Sequence, residues 1–219
     1  MAELRPGSGA FLTLEGGEGA GKSTQIMLLA ERLAGCGVDV VVTREPGGCP
    51  IAEQLRALLV SGPPEGITAK TELLLMTAAR IEHVRQVIQP ALDRGRWVLC
   101  DRFFDSTWAY QGCGRGMDVA FLESLHRWSV GELVPDLTLF VALDVEYGLQ
   151  RSGDRLRNRS VENRFEAEDV SFHQRVQDGF RELAGRNLDR IRIIDGHSSR
   201  EAVAMAIWRE VTGVFPHLE

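Results

Sequence analysis

"LEGGEGAGKSTQ", Leu14 to Gln25, interrupts the chain between an apolar run, "FLTL" (11–14), and a helix-like run, "QIMLLAERL" (25–33). Its glycines are too dense for a stable helix or strand. Gly16, Gly21, Lys22 and Ser23 fit the spacing G-x-x-x-x-G-K-[ST], and a strand before it with a helix after it is the context that spacing requires. Backbone N–H groups along Gly16, Gly17, Glu18, Gly19, Ala20 and Gly21 can curl around phosphate oxygens. The following helix start, Lys22 to Thr24, adds a positive dipole end. Lys22 supplies a point charge to the β- and γ-phosphates, and Ser23 a hydroxyl ligand for Mg²⁺. The break is expected to hold a nucleoside triphosphate, MgATP.

Outward from the loop, apolar runs recur at 11–15, 38–43 ("VDVVVT"), 97–101 ("WVLCD"), 137–144 ("LTLFVALD") and 191–195 ("IRIID"). Runs this apolar read as strands buried on both faces of a parallel sheet. Helical spacing lies between them: Ile26, Leu29, Ala30 and Leu33; Ile51, Leu55, Leu58 and Leu59; Val170, Val176, Phe180 and Leu183. Alternating strands and helices imply βαβ units with right-handed crossovers. The expectation is one α/β domain over residues 1–219: a three-layer αβα arrangement around a five-stranded parallel sheet. "SGPPEG" (61–66) reads as a loop. "RSGDRLRNRSVENR" (151–164) is polar and arginine-rich, and reads as a mobile lid over about 150–164.

The 219 residues, 44% of them hydrophobic, suffice for a substantial core. A formal net charge of −6 disfavours a nucleic-acid partner. Cys36, Cys49, Cys100 and Cys113 lack metal or disulfide spacing. The first ten residues do not read as a signal peptide, and no apolar run reaches the roughly 20 residues that span a bilayer. No membrane association and a cytoplasmic location are expected.

A phosphate loop alone does not choose a reaction. No Asn-Lys-x-Asp guanine-reading motif is present, and the length suits a small-molecule kinase. Four further stretches supply a second site: "TREPGG" (43–48), "MTAAR" (76–80), "DRF" (101–103) and "STWAYQGCGRG" (106–116). Arg44, Asp101 and Arg102 fall at strand C-termini, where open α/β sheets bind ligands. In order and spacing these stretches, with the loop and a closing "NRFE", resemble the bacterial thymidylate kinases over nearly the whole chain. "REPGG" with "DRF…AYQGxGRG" is the specific part of that resemblance.

The resemblance implies phosphorylation of dTMP to dTDP by MgATP, on the way to dTTP, and a homodimer. It implies that Glu18 holds the acceptor's 3′-hydroxyl, and that Arg44 and Arg102 grip its 5′-phosphate. Arg80 would donate to a thymine carbonyl, Thr107 and Gln111 would read the N3 edge, and Tyr110 would crowd the 2′ position. Asp101 reads as the Mg²⁺-side carboxylate. Met76 departs from the family, which commonly has a phenylalanine there to stack on thymine; this leaves the tightness of base selection open. Gly19 stands where some members carry a loop arginine. The catalytic cation is then expected from the lid, with Arg151, Arg155, Arg157 and Arg159 as candidates and Arg159 aligning best. Two other readings remain at this point: a kinase for another pyrimidine monophosphate, and a nucleotide-binding switch without catalysis.

Overall fold

A computed structural model describes residues 9–61, 66–157 and 164–218, with the backbone alone at 61 and 154–157. β1 (Phe11–Glu15) leads through the glycine loop into α1 (Lys22–Gly35), then β2 (Val40–Arg44), α2 (Pro50–Ser61) and α3 (Ala69–His83). α3 runs on through a π-helical turn, Val84–Ile88, into α4 (Gln89–Leu92). β3 (Trp97–Asp101) is followed by α5 (Phe104–Thr107), a π-helical segment Trp108–Gly114, and α6 (Val119–Val130). β4 (Leu137–Ala142), α7 (Val145–Arg157), α8 (Val170–Arg186), β5 (Ile191–Asp195) and α9 (Arg200–Val214) complete the order.

The five strands pair in parallel in the order β2-β3-β1-β4-β5. Side chains alternate across the sheet, and that alternation makes three layers. Leu12 and Leu14 pack with Ile26, Leu29 and Leu33 of α1 and with Val203, Ile207 and Val211 of α9. Phe11, Val98 and Cys100 face the other way, onto Val84, Ile88, Ala91 and Phe103. Phe140 and Ile191 meet Phe172, Val176 and Phe180 of α8. Each large apolar side chain so buried contributes about 1.5–3 kcal/mol relative to exposure.

The expected five-stranded parallel sheet is present, but not every run is buried on both faces. β1 is buried throughout, as a central strand must be, whereas Val42 of edge strand β2 and Ile193 of edge strand β5 face solvent. β2 starts two residues later than its apolar run, and β4 ends at Ala142 rather than 144. In α2, Ile51 and Leu58 are exposed while Ala52 and Leu59 are buried, so the buried face is rotated by one residue. Val170 is likewise exposed at the start of α8. The loop expected at 61–66 falls mostly on residues outside the description. The arginine-rich segment is not all loop: 151–157 continue α7, and Arg164 at its far end is buried. None of the described helices is long and apolar enough to cross a membrane.

Candidate active site

The chain crosses from β3 past β1 to lay down β4, so the crevice opens at the C-terminal end of β1. Cα pairing sets Leu14 and Arg44 on either side of Asp101. The ends of three strands thereby deliver Glu15, Arg44 and Asp101 to one edge. Glu18, Lys22, Ser23, Arg44, Met76, Arg80, Asp101, Arg102, Thr107, Tyr110 and Gln111 line one cavity of about 330 Å³, with Gly19, Ala20 and Gly21.

The loop is held by glycine geometry at two decisive points. Gly16 has φ 139°, and a Cβ there would lie 2.5 Å from the Val141 carbonyl oxygen. Gly19 has φ 69°, and its Cβ would lie 2.0 Å from the carbonyl oxygen of Gly148 in α7. No side chain fits at 19 against that backbone, so this loop and α7, as packed, leave no room for a loop arginine. Gly16 and Gly17 also turn carbonyls inward: Lys22 Nζ donates to them at 3.1 and 2.8 Å. Burial, and then the neighbouring Arg102, push the Lys22 ammonium down to about 8. Ser23 Oγ donates to Asp101 Oδ2 at 2.7 Å, so the two expected Mg²⁺-side oxygens are adjacent. Thr24 is exposed and outside the cavity; its N–H is taken by the Gly21 carbonyl.

Arg102 is the junction. Its φ is 71°, an uncommon conformation for a residue with a Cβ, which persists only where surroundings over-determine it. They do. Its backbone N–H donates to Leu14 O, Nη1 to Gly16 O at 2.9 Å and Ser106 Oγ at 3.1 Å, and Nη2 to Glu18 Oε1 at 2.9 Å. Buried Glu15 holds the next residue by accepting from Phe103 N at 2.7 Å, and its Oε2 lies 2.5 Å from Ser106 Oγ. Burial, then Asp105, push the Glu15 carboxyl up to about 8. Tyr110 lies under the Arg102 guanidinium, 4.9 Å from ring centre, and donates its hydroxyl to Glu18 Oε1 at 2.9 Å. Burial would raise Glu18, but Arg102, Lys22 and Tyr110 outweigh it and hold the carboxyl below its usual range.

Arg80, one turn after Met76 on α3, donates from Nε to Glu45 Oε2 at 2.7 Å and from Nη2 to Thr107 Oγ1 at 3.0 Å. His83 is fully buried and meets the other Glu45 oxygen at 3.0 Å. Burial opposes ionisation of Glu45, yet Arg80 and His83 keep it below the usual carboxylate range. Phe103 packs against the Arg80 guanidinium, 5.0 Å from its ring centre. Arg44 is exposed and bonds both oxygens of Glu53 at 3.0 Å.

The lid candidates fare unevenly. Arg151 lies beside the loop, with an Nη2 3.8 Å from a Cβ built on Gly21 and its guanidinium 5.7 Å from the Tyr147 ring centre. Arg155 is described by its backbone alone, and Arg159 lies outside the described residues. Arg164, which the lid reading included, instead bonds Glu72 at 2.5 Å and the Leu59 carbonyl at 3.1 Å.

Sequence reading missed Glu15, Glu45, Arg56 and Glu72. Arg56 lines the cavity and donates to Pro46 O at 2.8 Å, beside Arg44. A signal existed for it: Ala52, Arg56 and Leu59 share one helical stripe, so a charge interrupts the buried face. Glu72 likewise stands four residues before Met76 and eight before Arg80.

A family model described as thymidylate kinase matches residues 14–207. The chain is 53% identical over 207 residues to the thymidylate kinase of Magnetococcus marinus, covering 94% of this chain and 97% of that one. It is 52% identical over 204 residues to that of Afipia carboxidovorans, covering 93% and 89%. The crystal structure of thymidylate kinase from Ehrlichia chaffeensis superposes with a TM-score of 0.75 at 34% identity, over 93% of this chain and 99% of that one.

Proposed function

We propose a division of labour for this site from one premise: the chain belongs to the thymidylate kinase family. The reaction is phosphorylation of dTMP by ATP, a step of nucleotide biosynthesis. The observation that carries the residue roles is Arg102. One guanidinium bonds the phosphate-loop carbonyl of Gly16 and also Glu18, so it stands between the ATP loop and the dTMP cavity.

Lys22 and the loop N–H groups take the β- and γ-phosphates of ATP. Arg44, Arg56 and Arg102 line the acceptor side, where guanidinium forks neutralise a phosphate dianion and align its oxygen for attack. Arg151 on α7 supplies positive charge beside the loop; Arg155 and Arg159 belong to the same sequence segment and share the candidacy. The acceptor phosphate is already a nucleophile, so positioning and charge neutralisation carry the chemistry and no covalent enzyme intermediate forms. Glu18 takes the 3′-hydroxyl, and Tyr110 crowds the 2′ position. Arg80, Thr107 and Gln111 face the base edge, with Met76 in the same wall.

Ser23 and Asp101 offer adjacent hard oxygens, the donor chemistry that Mg²⁺ takes. Bound there with the phosphates, the ion would neutralise charge on the β- and γ-oxygens. The chain is read as one domain and placed in the cytoplasm. A homodimer is supported by neighbouring α3 and α6, where Leu74, Phe121 and Trp128 are 61%, 56% and 78% exposed.

ADP formation from ATP is measured with dTMP, dUMP, dGMP, AMP, CMP and UMP in parallel, with Mg²⁺ and with EDTA. Turnover of dTMP that EDTA abolishes and Arg102→Met cuts by orders of magnitude supports these roles. Full turnover in EDTA overturns the Mg²⁺ site, and an unaffected Arg102→Met overturns the junction.

A further inference from the structure

Glu72 sits in the first turn of α3, where the helix dipole favours an acid on the surface. This acid is not on the surface. It is fully buried and surrounded by donors. Gln111 Nε2 donates to Oε1 at 2.8 Å, and Arg115 Nε reaches the same oxygen at 3.3 Å. Arg115 Nη2 and Arg164 Nη2 donate to Oε2 at 2.9 and 2.5 Å. Burial would raise this carboxyl, but the bonds from Arg115 and Gln111 and the charge of Arg115 hold it below the usual range. An ionised carboxylate only accepts.

That fixes something at the cavity wall. A glutamine amide has a donor end and an acceptor end of nearly the same shape. Gln111 must give its NH₂ to Glu72, so its Oε1 is what remains for the cavity it lines. An oxygen there accepts from a ring N–H and repels a ring nitrogen that carries a lone pair. Thymine and uracil have N3–H; cytosine has a bare N3. We infer that Glu72 is a positioning residue which, by fixing the amide of Gln111, sets the class of pyrimidine accepted to those protonated at N3. The inference rests on the proposed reading that Gln111 meets the N3 edge.

The opposite arrangement follows from one atom. In Glu72→Gln, Arg115 Nη2 at 2.9 Å and Arg164 Nη2 at 2.5 Å both demand an acceptor where Oε2 stands, against the single, longer approach of Arg115 Nε to Oε1 at 3.3 Å, so the new amide oxygen goes to the Oε2 position. Its NH₂ then faces Gln111 and turns that amide over, presenting NH₂ to the cavity. The assay compares kcat/KM for dTMP and for 5-methyl-dCMP, which keeps the methyl group and reverses the N3 edge. The ratio is expected to fall at least about tenfold in Glu72→Gln, with 5-methyl-dCMP turnover rising while dTMP turnover drops. A merely structural role lowers both alike, and that result overturns the inference.

Gln111→Leu separates the two levels. If it leaves the ratio of the unaltered enzyme unchanged, the N3-edge reading itself fails. If it collapses the ratio while Glu72→Gln does not, the reading stands and Glu72 is not the positioning group. Should Glu72→Gln fail to fold, the test moves to the native enzyme by ¹⁵N NMR. The Gln111 side-chain NH₂ signal, assigned by its loss in Gln111→Leu, is expected to exchange slowly with water without substrate. Rapid exchange overturns the inference.

Discussion

Glu18→Gln keeps the shape of the residue and removes its charge. In the structure both donors to Glu18, Arg102 Nη2 and Tyr110 Oη, converge on Oε1 at 2.9 Å, which leaves Oε2 for an incoming hydroxyl. A hydrogen bond to an ionised group contributes about 1.5–3 kcal/mol, and one between neutral groups about 0.5–1.5 kcal/mol. If Glu18 holds the 3′-hydroxyl, the native enzyme should prefer dTMP over 2′,3′-dideoxythymidine monophosphate by about 13- to 150-fold in kcat/KM. The variant, whose amide can still make a neutral bond, should keep only about a 2- to 13-fold preference. A coupled ADP-release assay with both acceptors, in both proteins, gives the four values needed. The ratio cancels any general damage from leaving Arg102 without its counter-ion. A preference as large in Glu18→Gln as in the native enzyme would refute the assignment, whatever happened to the absolute rates.

Three further outcomes are expected. Lys22, held down to about 8, is fully charged only below that pH. Phosphates favour the charged form, so ATP binding at pH 8 should take up a proton and weaken as pH rises further. Calorimetry in two buffers of different ionisation enthalpy checks this, and no uptake counts against it. Glu15, raised to about 8 from 4.5, keeps its proton in the folded state. Its contribution is fully present below about pH 4.5 and declines as pH rises toward 8, by a few kcal/mol in order of magnitude. Urea midpoints at pH 5 and pH 8 should therefore fall less in Glu15→Gln than in the native chain; equal falls would contradict it. Finally, Trp128→Glu and Leu74→Glu should halve the mass in sedimentation velocity, and a native monomer at micromolar concentration would remove the dimer.

The central architecture was legible because burial writes itself as continuous apolar runs. β1, β3 and β5 lie where their runs do, and the phosphate loop is marked by spacing that little else produces. The edges were less legible, since Val42 and Ile193 are apolar without being covered. In the site, most residues that line the cavity stood out, Arg56 excepted, while those that hold them in place did not. Glu45 and Glu72 are invisible by type, because an acid in a helical or strand-end context reads as solvated until its partners are known. Those partners lie far along the chain: Arg80 is 35 residues from Glu45, and Arg164 is 92 from Glu72. Arg164 itself was grouped with its charged neighbours, although its side chain is committed to the interior. Local charge density cannot distinguish an arginine that waits for phosphate from one already neutralised.

The contact of Gly19 with Gly148 bears on how such enzymes can change. The resemblance read in the sequence implies two places for a catalytic cation, in the loop or beyond it. In this chain the loop solution is closed by backbone, since any side chain at 19 would run into the Gly148 carbonyl. The reverse also holds, because a Cβ at 148 would meet the Glu18 carbonyl oxygen at 2.5 Å. Passage from one solution to the other is therefore not a single substitution. The loop and α7 have to separate before either position can carry a side chain.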